Sequence, residues 1–341
     1  MAANETPPFW FDKPSLQSWL LWPFSYLYNR GATFKMLSTS SSKVDVPVLC
    51  IGNFVAGGGG KTPTALAFAK SLKARGFKPG FLSRGYGGRV NVPTLVDTKK
   101  FNALDVGDEP LLLAQVAKTV VSADRVAGAK LLIKNGCNFI VMDDGFQNPS
   151  LNKDFCLVVV DSRRGIGNGF TIPAGPLRAG IETQITKTDA VLIVGDDNGA
   201  DEIIRKTARS GRPVYHSKLV MEKPSQWRNK SLIAFAGIAD PEKFFESLRK
   251  QGAKLELIRP FGDHHYFHKD EILEMLDRAK HLKAELVTTA KDYVRFLGMG
   301  ELHESFAKQL FIVHVELKFE DKNAINVIID KTIAQFERRN I

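Results

Sequence analysis

The chain has 341 residues, an apolar content of 44% and a formal net charge of +10. It is long for a single core, so one or two α/β domains and an anionic partner are expected. Its three cysteines, Cys50, Cys137 and Cys156, stand in or beside apolar runs, and they lack the spacing of a disulfide framework or metal site.

Three of the four tryptophans (Trp10, Trp19, Trp22) lie near the N-terminus among Leu16, Leu20, Leu21, Phe24 and Leu27, with Arg30 and Lys35 following. Pro23 interrupts this stretch, which is well short of the ~20 apolar residues of a membrane span. Glu5, Asp12 and the lack of a small-residue cleavage site argue against a signal peptide. Two readings stay open: a segment lying in a lipid interface, or a helix packed on the protein's own core.

After the Ser/Thr-rich stretch Ser38 to Ser42, Val46 to Ile51 reads as a buried strand, and Pro63 to Ala69 as a helix with proline in its first turn. Between them, Phe54, Val55 and Ala56 lead into Gly57-Gly58-Gly59-Gly60-Lys61-Thr62. A glycine-rich turn from strand to helix is a phosphate-binding loop. Without Cβ atoms the backbone wraps closely around an anion, and the helix N-terminus adds partial positive charge. Lys61 is expected to reach the β/γ-phosphates and Thr62 to offer its hydroxyl to Mg²⁺. Val55 stands where the strict G-x-x-x-x-G-K-[ST] pattern has its first glycine.

Apolar runs then alternate with helix-like segments. Pro79 to Leu82, Val120 to Ser122, Phe139 to Met142, Cys156 to Val160 and Ala190 to Val194 read as strands; Thr64 to Arg75, Pro110 to Lys118 and Arg125 to Asn135 read as helices. The alternation predicts a P-loop NTPase-like parallel sheet, with ligands beyond the carboxyl ends of the strands. Candidate chemistry follows several of these strands. Asp143-Asp144 ends one of them, either as a metal-holding Walker B pair or as the start of a turn. Asp108 and Glu109 precede Pro110 and either cap a helix or handle an acceptor hydroxyl. Ser83 to Arg89, Arg163-Arg164 with Gly167-Asn168-Gly169, and Pro173 to Arg178 are basic, glycine-rich segments whose arginines can grip phosphate in a fork. Thr186-Lys187-Thr188-Asp189 matches a guanine-specificity pattern but precedes its strand, which favours ATP.

Val214 to Trp227 interrupts the rhythm, and a second α/β unit follows: strand Leu232 to Ala236, helix Pro241 to Lys250, strand Leu255 to Ile258, helix Lys269 to Leu282, strand Leu286 to Thr288, strand Gln309 to Phe319 and helix Ala324 to Phe336. The expected division is a segment 1–37, a nucleotide-binding domain 44–225 and a smaller α/β domain 226–341 closing a cleft. In Phe261 to Tyr266, Asp263 is expected to orient His264, which supports a base across that cleft; a zinc site lacks the further ligands it would need.

Taken together, Ile51-Gly52-Asn53 with Gly57 to Pro63, Arg84-Gly85-Tyr86-Gly87, Gly107-Asp108-Glu109-Pro110, Asp143 to Gln147, Gly167-Asn168-Gly169 with Pro173 to Arg178, Asp263-His264-His265, and Thr288-Thr289 with Lys291-Asp292 resemble the tetraacyldisaccharide 4'-kinase family. The resemblance implies transfer of the ATP γ-phosphate, with Mg²⁺, to the 4'-hydroxyl of a tetraacylated glucosamine disaccharide 1-phosphate. The reaction would take place at the cytoplasmic face of a bacterial inner membrane, with the N-terminal helix on the bilayer and no nucleic-acid partner. It implies that Asp108 is the base, with Asp263, His264 and Lys61 beside it, and that Phe54 to Thr62 hold ATP while Thr62, Asp143 and Asp144 hold the metal. Asn53, Arg84, Tyr86, Glu109, Gln147, Asn168 and Arg178 would contact the acceptor. Asn148 and Ala179-Gly180 depart from the family pattern on loops assigned to the lipid. The oligomeric state is left open. The rivals are a soluble kinase or ATPase for a small polar molecule and a nucleotide-switched adaptor.

Overall fold

The structure, a computed structural model, describes residues 7–38 and 40–340. Residues 1–6 of the expected N-terminal segment lie outside the described residues. The strands are β1 (Val48–Gly52), β2 (Pro79–Ser83), β3 (Thr94–Leu95), β4 (Lys118–Val121), β5 (Phe139–Asp143), β6 (Phe155–Asp161), β7 (Ala190–Val194), β8 (Val214–Met221), β9 (Ser231–Ala236), β10 (Lys254–Pro260), β11 (Glu285–Thr289), β12 (Leu310–Val313) and β13 (Val315–Phe319). Among the described residues they form a nine-stranded sheet in the order β13-β8-β7-β6-β1-β5-β2-β4-β3 and a four-stranded sheet in the order β10-β9-β11-β12.

Strands β1, β5 and β7 are buried along their whole length, which is why they read as unbroken apolar runs rather than alternating ones. One face of the large sheet is covered by helices Lys61–Ala74 and Ala324–Arg338, through Phe68, Leu72, Ile328 and Ile329. The other is covered through Leu132, Ile185 and Ile203 of three helices and Met36 of the N-terminal helix. Because β1 pairs with β5 in parallel register, Ile51 opposite Asp143, the glycine loop and the acidic pair leave the sheet side by side.

Two expectations are corrected. Val214–Met221 is a strand, β8, hidden from a pattern search because most of its residues are exposed or half-buried. The unit assigned to 226–341 ends earlier than expected. The single strand expected over Gln309 to Phe319 divides at His314: β12 stays in the small sheet, whereas β13 pairs antiparallel with β8 and the last helix packs on the large sheet. Glu222 N–H donates to His314 O at 2.9 Å, so the two strands that join the domains run side by side.

The N-terminal helix Leu16–Ser38 is turned inside out. Ser18, Ser25 and Met36 are buried against the protein, with Leu21, Asn29 and Ala32 half-buried on the same face, whereas Leu16, Trp19, Leu20, Phe24, Leu27 and Phe34 point to solvent. Polar clasps hold the docked face: Thr171 Oγ1 donates to Ser25 O at 2.9 Å, and Gly180 N–H donates to Asn29 Oδ1 at 2.6 Å. Among the described residues no helix is long and apolar enough to cross a membrane.

Candidate active site

Gly57 and Gly60 take positive φ of 68° and 93°, and a Cβ on Gly58 would fall 2.6 Å from Asn53 Nδ2. The turn therefore requires glycine at these places. Gly59 differs, since a Cβ there would meet nothing closer than Asp161 Oδ2 at 3.6 Å. Asn53 is buried and donates to Val159 O at 2.8 Å, tying the loop's entry to β6. Phe54 and Val55 turn their side chains into the core. Ala56 N–H donates to Pro176 O at 2.9 Å, and Arg178 N–H to Phe54 O at 2.9 Å. These three residues thus brace the loop, and the arc available to a phosphate is Gly57 to Thr62. Lys61 Nζ lies 3.2 Å from Gly58 O and 3.9 Å from Asp144 Oδ1.

The acidic pair is divided by environment. Asp144 accepts both arms of Arg178, at 2.6 and 3.1 Å. Burial raises its pKa, but Lys61 and Arg178 outweigh that and hold the carboxyl well below the usual range. Asp143 is fully buried with neither oxygen hydrogen-bonded, and burial reinforced by Glu109 pushes it up to about 8. An orphaned buried carboxylate next to a phosphate loop suits a cation that brings its own charge. Among the described residues no group of three His, Cys, Asp or Glu side chains is arranged to hold a metal alone. Mg²⁺ takes one or two carboxylates and completes its shell with phosphate oxygens and water, so the buried Asp143 carboxyl beside the loop is the group that fits such an ion.

Across the cleft the small domain meets Asp108, which is 4% exposed at the start of helix Asp108–Ala114. Its Oδ1 accepts Glu109 N–H at 2.8 Å. Its Oδ2 accepts His264 Nδ1–H at 2.9 Å and Arg295 Nε–H at 2.8 Å, with Arg295 Nη2 at 2.6 Å. Burial raises the Asp108 pKa, but Lys291, His264 and Arg295 together hold it far below an ordinary carboxylate, so it is ionised. His264 adopts a positive φ of 60°, with Asp263 Oδ2 3.7 Å from its Nε2 and the Tyr86 ring 5.8 Å away. Lys291 Nζ stands 3.3 Å from Glu109, 3.6 Å from Asp263 and 3.5 Å from His264 Nε2. Tyr86, Asp108, His264, Tyr266 and Arg295 line a cleft of ≈ 90 Å³.

Several expected residues are placed differently from what an acceptor-contacting role implies. Gln147 Nε2 donates to Asn53 O at 2.6 Å and Gln184 Oε1 at 3.0 Å, while its Oε1 accepts from Arg178 at 3.3 Å, so it couples the loop to that arginine. Asn168 Nδ2 donates to Ala174 O at 2.9 Å, Ser18 Oγ at 3.2 Å and Phe9 O at 3.3 Å, and its Oδ1 accepts Phe170 N–H at 3.1 Å. Its amide fastens the N-terminal segment. Arg84 and Tyr86 are exposed at the cleft rim. His265 pairs with Glu271 at 3.0 Å and stacks on Phe261, and His303 bonds Phe267 O at 2.9 Å, so these histidines are structural. The sequence by itself assigns no role to Lys291 or Arg295. The available signal was the charged run Lys291-Asp292 to Arg295 directly after the apolar strand β11.

A family model described as tetraacyldisaccharide-1-P 4'-kinase matches residues 17–334. The chain belongs to this family. Curated relatives bearing the name tetraacyldisaccharide 4'-kinase include one from Rhizobium rhizogenes, 46% identical over 99% of this chain and 95% of its own length. One from Brucella ovis is 46% identical over 99% of both chains. The crystal structure of LpxK from Aquifex aeolicus in complex with ATP superimposes with a TM-score of 0.71 at 25% identity, covering 93% of this chain and 99% of that one. The chain thus shares its fold with that protein across nearly the whole length of both.

Proposed function

We propose that this chain transfers the γ-phosphoryl group of ATP to the 4'-hydroxyl of tetraacyldisaccharide 1-phosphate, forming lipid IVA, a precursor of lipid A. The observation that carries the reading is the meeting of Asp108 and His264, from different domains, at 2.9 Å in a cleft beside a glycine loop that ends in Lys61 and Thr62. The names and the ATP complex of its relatives support the same reading.

Gly57 to Thr62 would cradle the triphosphate, with Lys61 leaving Gly58 O for its oxygens. Thr62 and Asp143 would hold Mg²⁺, with Asp144 beside them, and bound there the ion neutralises charge on the β/γ oxygens. Asp108 orients the sugar hydroxyl and takes its proton as the new oxygen–phosphorus bond forms and ADP leaves. Lys291, between Glu109, Asp263 and His264, fixes the acidic wall of the cleft and offsets its negative charge. Positioning and electrostatics account for most of the rate in such a transfer.

The inverted N-terminal helix gives the protein a means of reaching a lipid acceptor: its apolar side would lie in the lipid interface, with Lys13, Arg30 and Lys35 near anionic headgroups. The surface would be the cytoplasmic face of the inner membrane, where ATP is available. A small polar acceptor would leave that face without a use. Incubating the protein with ATP and detergent-dispersed acyl-disaccharide 1-phosphate should yield a second phosphomonoester at the 4'-position. ATP turnover that leaves the lipid unmodified would overturn the proposal.

A further inference from the structure

Arg295 occupies the junction between the domains with unusually complete fixation. It is 6% exposed and belongs to the small domain. Its Nη1 donates to Gly237 O and to Asp292 Oδ1, both at 2.7 Å. Asp292 is itself held, accepting Gly237 N–H at 2.9 Å on Oδ1 and the Thr289 hydroxyl at 2.6 Å on Oδ2. A Cβ on Gly237 would fall 3.0 Å from Arg295 Nη1 and 3.1 Å from Gly262 O, so the backbone there is pressed against both the arginine and the loop that carries His264. Gly237 O also accepts His264 N–H at 3.2 Å. One carbonyl therefore sets the positions of both groups that converge on Asp108 Oδ2.

We infer that Arg295 is a positioning residue for the transfer, which engages Asp108 Oδ2 together with His264 and thereby leaves Oδ1 as the oxygen that receives the acceptor proton. With Oδ2 occupied by Arg295 Nε–H and His264 Nδ1–H, a hydroxyl arriving in the cleft finds a usable lone pair on Oδ1, which the described residues engage through Glu109 N–H. The carboxylate plane is locked, because a quarter-turn about its axis would break the Arg295, His264 and Glu109 contacts together. Arginine suits this post because its rigid fork holds two partners in fixed directions while staying charged when buried. Since Asp108 comes from the large domain and the Gly237–Asp292–Arg295 unit from the small one, closing the cleft and aiming the base are a single event.

This inference rests on Asp108 being the base, and the test separates the two. Steady-state kinetics on full-length Arg295→Met, Arg295→Lys, Asp108→Asn and the double variant Asp108→Asn/Arg295→Met should be measured with ATP and the dispersed lipid acceptor, alongside thermal unfolding. Arg295→Met is expected to lower kcat roughly 10- to 100-fold, a part of the ~10²–10⁴-fold that a general base supplies, while the KM for ATP, set on the other wall, stays within about twofold. Arg295→Lys, which keeps the charge and loses the fork, should recover part of kcat. In the Asp108→Asn background, Arg295→Met should cost little more, because two residues acting through one carboxylate are non-additive. Should Arg295→Met be too unstable to assay, Arg295→Lys against Asp108→Asn/Arg295→Lys supplies the same cycle. A kcat loss that multiplies undiminished onto the Asp108→Asn loss would make Arg295 merely structural and overturn the inference, as would wild-type kcat in a folded Arg295→Met. Wild-type kcat in Asp108→Asn would instead remove the base assignment itself.

Discussion

Replacing Leu20 and Leu27 together by serine probes the membrane-facing helix without touching its docked face. The two residues are seven apart, on nearly one line of the helix, and are 68% and 67% exposed. Full burial of a leucine side chain is worth about 1.5–3 kcal/mol over leaving it in water, so immersing the exposed two-thirds of each yields about 1–2 kcal/mol, or about 2–4 kcal/mol for the pair. Dividing by ~1.4 kcal/mol per decade, partitioning onto vesicles should weaken roughly 30- to 1,000-fold. Because neither side chain packs in the folded protein, thermal stability should hardly change. Co-sedimentation with vesicles of zwitterionic and anionic phospholipid measures the first, and calorimetry the second. Undiminished partitioning by a variant of unchanged stability would refute the interfacial reading, and a large stability loss would mean that the apolar face is covered in solution.

Gly58→Ala should weaken ATP binding strongly, because its new methyl would fall on buried Asn53, whereas Gly59→Ala should bind almost normally, having only Asp161 Oδ2 at 3.6 Å to meet; isothermal titration with an unreactive ATP analogue distinguishes them. Lys61→Met should abolish measurable turnover and weaken nucleotide binding, and retention of either at wild-type levels would displace Lys61 from the phosphate site. Asp108→Asn should lower kcat by ~10²–10⁴ and destabilise the protein by about 1–3 kcal/mol, since it takes from buried Arg295 and half-buried Lys291 one of the carboxylates that face them, while Asp292, Glu109 and Asp263 remain. The pH dependence has a definite sign. Asp108 is held below its unfolded pKa, so its stabilisation is present above about pH 4 and is lost as pH falls further. Urea unfolding at pH 6 and pH 3 should therefore show a wild-type advantage over Asp108→Asn that shrinks with acidity; an advantage that grows would contradict the ion pair.

Much of the architecture is carried by local signals that survive in one dimension. Buried parallel strands such as β1, β5 and β7 are apolar throughout because both faces are covered, and the tetraglycine run can wrap an anion because it lacks Cβ atoms. Those residue-level constraints determined the α/β class, the phosphate loop and the adjacent acidic pair as candidates. They could not show that β13 leaves the small sheet for the large one, since Leu310 to Phe319 is continuous in pattern and its division at His314 depends on which exposed edge each half finds. Nor could they separate Asp143 from Asp144, identical in type and adjacent in sequence, because only the fold brings Arg178 to one and leaves the other without a partner. The same holds for Asn168 and Gln147, whose amide groups reach Phe9, Ser18 and Asn53, far away along the chain. Asp108 stands 156 residues from His264 and 187 from Arg295 along the chain, and the convergence of those two side chains on one of its carboxylate oxygens is a property of packing, since charge interactions act through distance in space. The sequence by itself determined which chemistry the chain could perform; the tertiary structure decided which groups are aimed, which are paired and which side of the first helix is left facing outward.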